Sequence, residues 1–181
     1  MRARLRSECG FGLIELLIAM VMLNIGILAI VAAFNAGIWT LNRASRASTG
    51  AALADARLEA YRALSYGCLY ENSPPGDSTY TSDSAYDATY GITAGTACGT
   101  PPPVASSNPQ AGADRKNYRV DTYVTWACSA GSPSGGGANP TCAAAGSGRP
   151  VKKVTVVVRD YAKPSTRPFA RVGSTFDAST G

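Results

Sequence analysis

Residues 10–34 of this 181-residue chain read GFGLIELLIAMVMLNIGILAIVAAF. From Leu16 to Phe34 the only polar side chain is that of Asn24. As a helix, this run spans roughly 28 Å, which is close to the hydrocarbon thickness of a bilayer. The stretch therefore predicts a helix long enough to cross a membrane.

Three interpretations of this N-terminus compete. A secretory signal peptide would be cut near Ala33, but the apolar region here is longer than the usual run of about 7–15 residues. A plain signal anchor gives no purpose to Glu15, whose carboxylate would cost roughly 2.5–3.5 kcal/mol at a helix centre and less near the interface. The third interpretation treats Gly10, Phe11 and Glu15 as one unit.

The third interpretation accounts for the most residues. A leader containing Arg2, Arg4 and Arg6 ends in Gly10, and Phe11, Glu15 and an unbroken apolar run follow. In this arrangement the chain resembles the precursors of type IV pilins and pseudopilins. That family usually has Thr or Ser where Gly12 stands, so the pattern departs at this position. Residue type, spacing, leader charge and apolar length otherwise agree.

The resemblance implies cleavage after Gly10 by the prepilin peptidase and methylation of the new amino terminus on Phe11. Cleavage would leave an α-ammonium one helical turn before Glu15. In a bundle of such helices, Glu15 of one subunit can pair with the terminal amine of its neighbour. Because an unpaired charge is costly in an apolar core, such a pair would enforce axial register.

The formal net charge of +5 does not indicate a polyanion-binding protein. The first ten residues contribute +2, from three arginines against Glu8, and the remainder carries +3. Nucleic acid is therefore not an expected partner. The sequence also has no histidine, which excludes Ser-His-Asp and Cys-His catalytic units and His-bearing zinc sites.

The cysteines indicate an oxidising compartment. Loss of the leader would remove Cys9 and leave four, namely Cys68, Cys98, Cys128 and Cys142. Four cysteines allow three connectivities; we favour 68–98 with 128–142, because each pair brackets a loop-like stretch. The positive-inside rule does not fix the orientation clearly, because Arg43 and Arg46 follow the apolar run closely. The orientation is therefore inferred from the disulfide-ready cysteines, and the head is expected outside the cytoplasm.

Beyond the membrane segment the helix is expected to continue amphipathically. Apolar residues recur every three or four positions, and Gly67 is a natural stop. The only strong helix-weakeners are Gly26, Gly37 and Gly50. The residues of the stripe are Leu41, Ala44, Ala47, Ala51, Ala54, Leu58 and Tyr61.

The head divides into a loop-rich part and a sheet. Residues 67–117 are rich in Pro, Gly and Ser, and their tyrosines (70, 80, 86 and 90) are expected to pack the loop onto the sheet rather than bind a partner. Asp77, Asp83 and Asp87 do not match a calcium-loop spacing, so no metal is expected. Alternating residues at 118–126 and 154–158 predict half-buried strands, with a weaker third strand at 169–176.

The expected fold is α+β and pilin-like, with a long N-terminal helix packed on a small antiparallel sheet. Its segments are a leader (1–10), a membrane and filament-core helix (11–40), an amphipathic helix (41–66), a variable loop region (67–117) and a sheet region (118–181). The strands most resemble PilV-type minor pilins and the I-subunit pseudopilins of type II secretion.

The function implied by this resemblance is that of a minor pilin or pseudopilin. Such a subunit is a single-pass protein of the bacterial inner membrane that joins other pilin or pseudopilin subunits in a filament. It has no cofactor, small-molecule substrate or enzymatic activity. The alternative is a ligand-binding subunit, adhesin-like or for DNA uptake, with basic residues 115, 116 and 119 or 149, 152 and 153 as its patch.

Overall fold

The structure is a computed structural model that describes residues 12–95, 98–129, 133–134, 141–142 and 148–179. Its chain forms two compact units, Met1–Ala44 and Ser45–Gly181. Helix α1, Leu13–Arg62, contributes to both. Its sequence contains no proline, so no backbone N–H is missing along its 50 residues.

A four-stranded antiparallel sheet forms the centre of the second unit. The strands are β1 (Ser106–Ala111), β2 (Asn117–Cys128), β3 (Pro150–Asp160) and β4 (Ala170–Phe176). Their order in the sheet is β1-β2-β3-β4, so each strand pairs with its neighbour in sequence. The α+β class predicted from the sequence, a long apolar helix followed by a small antiparallel sheet, is confirmed.

The C-terminal part of α1 covers one face of this sheet. Ala54, Leu58 and Tyr61 are buried there, three and four residues apart, as the amphipathic stripe predicts. They pack with inward-facing residues of β2 and β3, which are Tyr118, Val120, Val124, Val154, Val156 and Val158. This cluster is the main core of the head.

The opposite face of the sheet is also buried, which differs from the half-buried strands predicted from alternation. Consecutive residues from Tyr118 to Val124 and from Val154 to Arg159 are all buried. The segment before β1 covers this second face, where Tyr80 and Ala105 form a smaller core with Tyr123 and Val157. Alternation of residue type therefore distinguishes two different buried faces here, not a buried and a solvated one.

Two predicted boundaries are wrong, namely the C-terminal end of the loop region (67–117) and the C-terminal end of the amphipathic helix (41–66). The loop region was expected to reach residue 117, but β1 lies within it and pairs with β2. The same region contains a short helix α2, Ser78–Thr81, capped by the Asp77 carboxylate, which accepts a bond from the Tyr80 N–H. Ser, Asn and Pro in β1 carry little strand propensity, so pairing with β2 overrides the local signal.

The helix also ends earlier than its predicted stop at Gly67. It ends at Arg62, Ser65 is extended, and a 3-10 turn follows at Tyr66–Cys68. The ammonium group of Lys152 donates to the Tyr66 and Leu69 carbonyl oxygens at 2.9 and 3.0 Å. β3 thus supplies a side-chain partner for two carbonyl groups of the segment that follows the helix.

Two disulfides hold the loops of the head. Cys68 is bonded to Cys98 and Cys128 to Cys142, with Cα–Cα distances of 5.6 and 5.7 Å. This is the connectivity that the loop-bracketing argument favours. The first bond ties the end of the helical region to the segment before β1.

Candidate processing and assembly site

The described part of the N-terminal motif begins at Gly12. The Gly12 carbonyl oxygen accepts hydrogen bonds from the Glu15 N–H at 2.9 Å and the Leu16 N–H at 3.2 Å. Glu15 therefore lies in the first turn of α1. A carboxylate is favoured at this end of a helix, because the first N–H groups lack partners and the helix dipole is positive there.

The other predicted site residues, Gly10 and Phe11, lie outside the described residues. Glu15 itself is exposed, and no ion pair of its carboxylate with a described residue is recorded. What the structure establishes is the position of the carboxylate on the first helical turn. Its pairing with a neighbouring subunit stays a prediction.

The helical surface that follows Glu15 is apolar all round. Within the described residues, α1 is the one helix whose length and composition would let it cross a membrane. A helix that exposes large apolar side chains on every side needs lipid or other helices around it. These side chains include Leu17, Met22, Ile27, Leu28, Phe34 and Trp39, all of which are more than half exposed.

Comparison with known proteins identifies this same region. Residues 5–32 match the family model described as the prokaryotic N-terminal methylation motif. No curated protein and no solved structure gives a significant match to the chain. The motif match, with the long apolar helix and the antiparallel sheet, supports a type IV pilin-like protein.

The head contains a partly buried polar network that the sequence did not predict. It consists of three aspartates and three arginines, and we call it the Asp–Arg network. Two aspartates come from the segment around α2, and the other members come from β2, β3 and β4. They are Asp77, Asp83, Arg119, Asp121, Arg159 and Arg171.

Charge balance explains how these groups tolerate burial. Arg119 and Arg159 are register partners on neighbouring strands, so they would repel each other without anions. Asp121 binds both, while Asp77 pairs with Arg119 and Asp83 pairs with Arg159. Three negative and three positive groups leave the network neutral, which lowers the cost of burying its central members, whereas the Asp77 and Arg171 side chains are 44% and 37% exposed.

The network also shifts the ionisation of its members. Burial by itself would raise the pKa of Asp83, but the Ala85 N–H and the two arginines outweigh burial and lower it. Hydrogen bonding to Arg119 lowers the pKa of Asp77. The two carboxylates considered for calcium thus hold the α2 segment to the sheet through arginines, whereas Asp87 accepts from the Thr89 and Tyr90 N–H groups of its own turn.

The two basic clusters proposed for ligand binding do not stay together at the surface. Arg119 is buried in the Asp–Arg network, and Lys152 is buried beneath Tyr66 and Trp126, 4.8 and 5.5 Å from their ring centres. Arg149 pairs with Asp177 at 3.2 Å. The alternation of side chains along a strand was a usable sequence signal. It places Arg119, Asp121 and Arg159 on one face of adjacent strands, so these charges must be paired with one another if that face is covered.

The tyrosines of the loop region behave as predicted for packing residues. Tyr80 is fully buried, stacks on Tyr123 with ring centres 4.4 Å apart, and donates to the Thr122 carbonyl oxygen at 2.6 Å. Tyr86 meets the Tyr80 ring edge-on. The rings therefore attach the loop region to the sheet.

Proposed function

We propose that the chain is a minor pilin or pseudopilin, a structural subunit of a type IV pilus or a type II secretion-like filament. It is cleaved after Gly10, methylated on Phe11 and inserted in the bacterial inner membrane with its head outside the cytoplasm. The observation that carries the proposal is the methylation motif at 5–32 on a helix whose first turn contains Glu15. Two disulfides in the head fit an oxidising compartment.

Glu15 is the residue assigned to assembly. After cleavage, the ammonium group of Phe11 is one helical turn from Glu15 in its own chain and can meet Glu15 of a neighbour. In the apolar core of a filament the pair would offset the cost of each charge, and a helix shifted along the axis would leave both unpaired. The pair thus selects one axial position.

Minor status rests on two features of the chain. Helix α1 lacks the mid-helix proline that is common in the major pilins of the family it resembles. The segment between α1 and β1 is long and contains a disulfide-bonded cysteine. The ligand-binding alternative is not favoured, because the described members of its two basic clusters are divided between buried and exposed positions.

The test is neutralisation of the carboxylate in cells that assemble the filament. Glu15→Gln keeps the size of the side chain, so the variant is expected to insert and lose its leader like the wild type but to be depleted from sheared filaments. Glu59→Gln, an exposed carboxylate of the same helix, is the matched control and should be incorporated normally. Normal incorporation of Glu15→Gln would rule out the assembly role of the charge.

A further inference from the structure

The net charge of the head is small, but it is concentrated in two connections of the sheet. Residues 45–181 contain 13 lysines and arginines against 10 aspartates and glutamates. The β1–β2 turn (112–116) and the β3–β4 loop (161–169) together hold four of these cations and one of the anions, so they account for the whole excess of three. We call the four cations the basic end; they are Arg115, Lys116, Lys163 and Arg167.

Strand pairing places these two connections at the same end of the sheet. Strand β2 begins at Asn117, directly after the turn, and Tyr118 pairs with Asp160, the last residue of β3. The turn and the loop that follows β3 therefore leave the sheet side by side. Lys116 from the turn and Tyr161 from the loop line the same cavity, which has a volume of about 190 Å³.

Helix α1 enters the head at this end of the sheet. The Arg46 guanidinium pairs with the Asp160 carboxylate at 2.8 Å and lies 5.8 Å from the centre of the Phe169 ring. Leu41, the last large apolar residue before the head, is five positions before Arg46, a rise of roughly 7.5 Å in a helix. Along the chain, the basic end is thus the part of the sheet closest to the segment proposed to span the membrane.

The cations of the basic end are not neutralised within the head. All four residues are exposed, and no ion pair joins any of them to another residue of the described part of the chain. Toward the opposite end, Arg62 pairs with Glu59 and Arg149 pairs with Asp177. The basic end therefore presents charge of one sign, which suits an anionic partner.

The geometry of the β1–β2 turn does not require its positive charges. Arg115 has a φ of 60°, in the left-handed region, where glycine and asparagine are favoured over arginine. Its N–H closes the turn by donating to the Gly112 carbonyl oxygen at 3.0 Å, a bond that many residue types could make. The acidic residue of the turn, Asp114, accepts from the Tyr118 hydroxyl at 2.7 Å and from the Lys116 N–H at 3.2 Å.

We propose that the basic end is a docking surface for the phosphate groups of anionic phospholipids, in the same membrane that holds the apolar part of α1. The proposal rests on the proposed function, because it requires that segment to be inserted. The head of an unassembled subunit then rests on the bilayer surface, and incorporation into a filament has to release these contacts.

A lipid surface is favoured over a soluble polyanion or an acidic protein because the chain itself holds the basic end near the membrane. Cations that flank a spanning segment lie within reach of anionic headgroups, and their attraction extends over about 10 Å. Trp39, which is 77% exposed, belongs to a residue type that is enriched at the membrane–water interface. Arginine and lysine both bind phosphate oxygens through charge-assisted hydrogen bonds.

Photo-cross-linking of the full-length chain in vesicles tests the contact. A photo-reactive amino acid replaces the exposed Ala113 of the turn or Ala162 of the loop, and the vesicles contain equal amounts of phosphatidylcholine and phosphatidylglycerol. At both positions, adducts of phosphatidylglycerol should exceed those of phosphatidylcholine about fivefold, since one cation near an anionic surface contributes about 1 kcal/mol. In 1 M salt the screening length is about 3 Å, so the excess should disappear.

Two kinds of control accompany this experiment. Ala178 lies beyond the other end of β4, and a photo-reactive residue there should give no lipid adducts. With the photo-reactive residue at 162, the double variant Arg115→Asn/Lys116→Gln should lose the phosphatidylglycerol excess; asparagine suits the positive φ. Arg62→Gln/Lys153→Gln removes the same number of exposed cations elsewhere in the head and should keep the excess.

Extraction at alkaline pH separates failure of this proposal from failure of the proposed function. A chain that alkali removes from the vesicles is not inserted, and both then fail. For an inserted chain, the docking surface alone is overturned by three results: no lipid adducts at 113 and 162, equal labelling of the two lipids, or equal labelling at Ala178. It is also overturned if Arg115→Asn/Lys116→Gln keeps the excess, or if the two positions cross-link in cells to a protein and to no lipid.

Discussion

At the scale of single residues, the stability of the head depends on how its buried charged groups are paired. Glu71 is only 2% exposed, and its carboxylate accepts a hydrogen bond from the Val124 N–H at 2.9 Å. Burial raises its pKa to about 7, against smaller opposing effects of the Val124 N–H and the Tyr80 hydroxyl. Unlike the aspartates of the Asp–Arg network, Glu71 has no arginine partner in the described part of the head.

Glu71 is predicted to make the head less stable at neutral and higher pH than at acidic pH. Its pKa is higher in the folded chain than the ordinary value of 4.5, so the stabilisation is complete below pH 4.5 and is lost as the pH rises through about 7. The difference amounts to about 3 kcal/mol of unfolding free energy. Glu71→Gln keeps an oxygen acceptor for Val124 and should remove this dependence, which urea unfolding of the full chain in detergent at pH 5 and pH 8 would measure.

The control for this prediction is Asp55→Asn, which neutralises an exposed carboxylate of the same head and should leave the pH dependence unchanged. Asp77 and Asp83 do not obscure the result, because their pKa values are lowered and they change charge at more acidic pH. A wild-type head equally stable at pH 5 and pH 8 would contradict the assignment.

At the scale of elements, the glycines of α1 have different environments. A Cβ on Gly37 would meet nothing within 4 Å. On Gly50 it would lie 3.1 Å from Cβ of Phe169 and 3.7 Å from Cβ of Ala170. The absence of a side chain at Gly50 thus permits close packing of the helix on β4, whereas Gly37 only lowers helix propensity.

This difference predicts opposite outcomes for the same substitution. Gly50→Leu should destabilise the head by about 1–3 kcal/mol, because the added side chain must displace Phe169 or the helix. Gly37→Leu should leave the urea midpoint of the head unchanged, since it adds an apolar residue to the apolar part of α1. Equal midpoints for the two variants would mean that the helix does not pack on the sheet at Gly50.

The elements differ in how well the sequence predicts them. Helix α1, β2 and β3 follow from periodicity, because long apolar or alternating runs leave few alternatives. Strand β1 does not, since SSNPQA has almost no strand propensity and pairs only because β2 offers an edge. The turn that follows α1 is held by the Lys152 ammonium from β3, which donates to the Tyr66 carbonyl oxygen 86 positions away, a contact that no local pattern encodes.

The functional and charged residues likewise differ in how well the sequence predicts their arrangement. Glu15 is identified from spacing alone, because the motif is contiguous in sequence. The Asp–Arg network joins residues of the α2 segment, β2, β3 and β4, so it becomes visible only when the covering segment is placed on the sheet. The sequence shows the charges but not that both faces of the sheet are covered.

At the scale of the whole molecule, the chain combines a unit built for an apolar environment with a disulfide-bonded head. A single helix contributes to both units, so the apolar segment and the core of the head share one continuous element. The assembly role assigned to Glu15 requires one covalent change, since its partner amine exists only after the leader is removed. The proposed role of Glu15 in assembly therefore depends on where the mature chain begins.

Mass spectrometry of the chain purified from cells that carry its own assembly machinery tests this most directly. The product is expected to begin at Phe11, to bear one methyl group on its α-amine and to contain two disulfides. Gly10→Ala should prevent this processing and leave the leader attached. A native product that retains Met1, or one that begins near Ala33, would contradict the account, because Glu15 would then lack the amine with which it is proposed to pair.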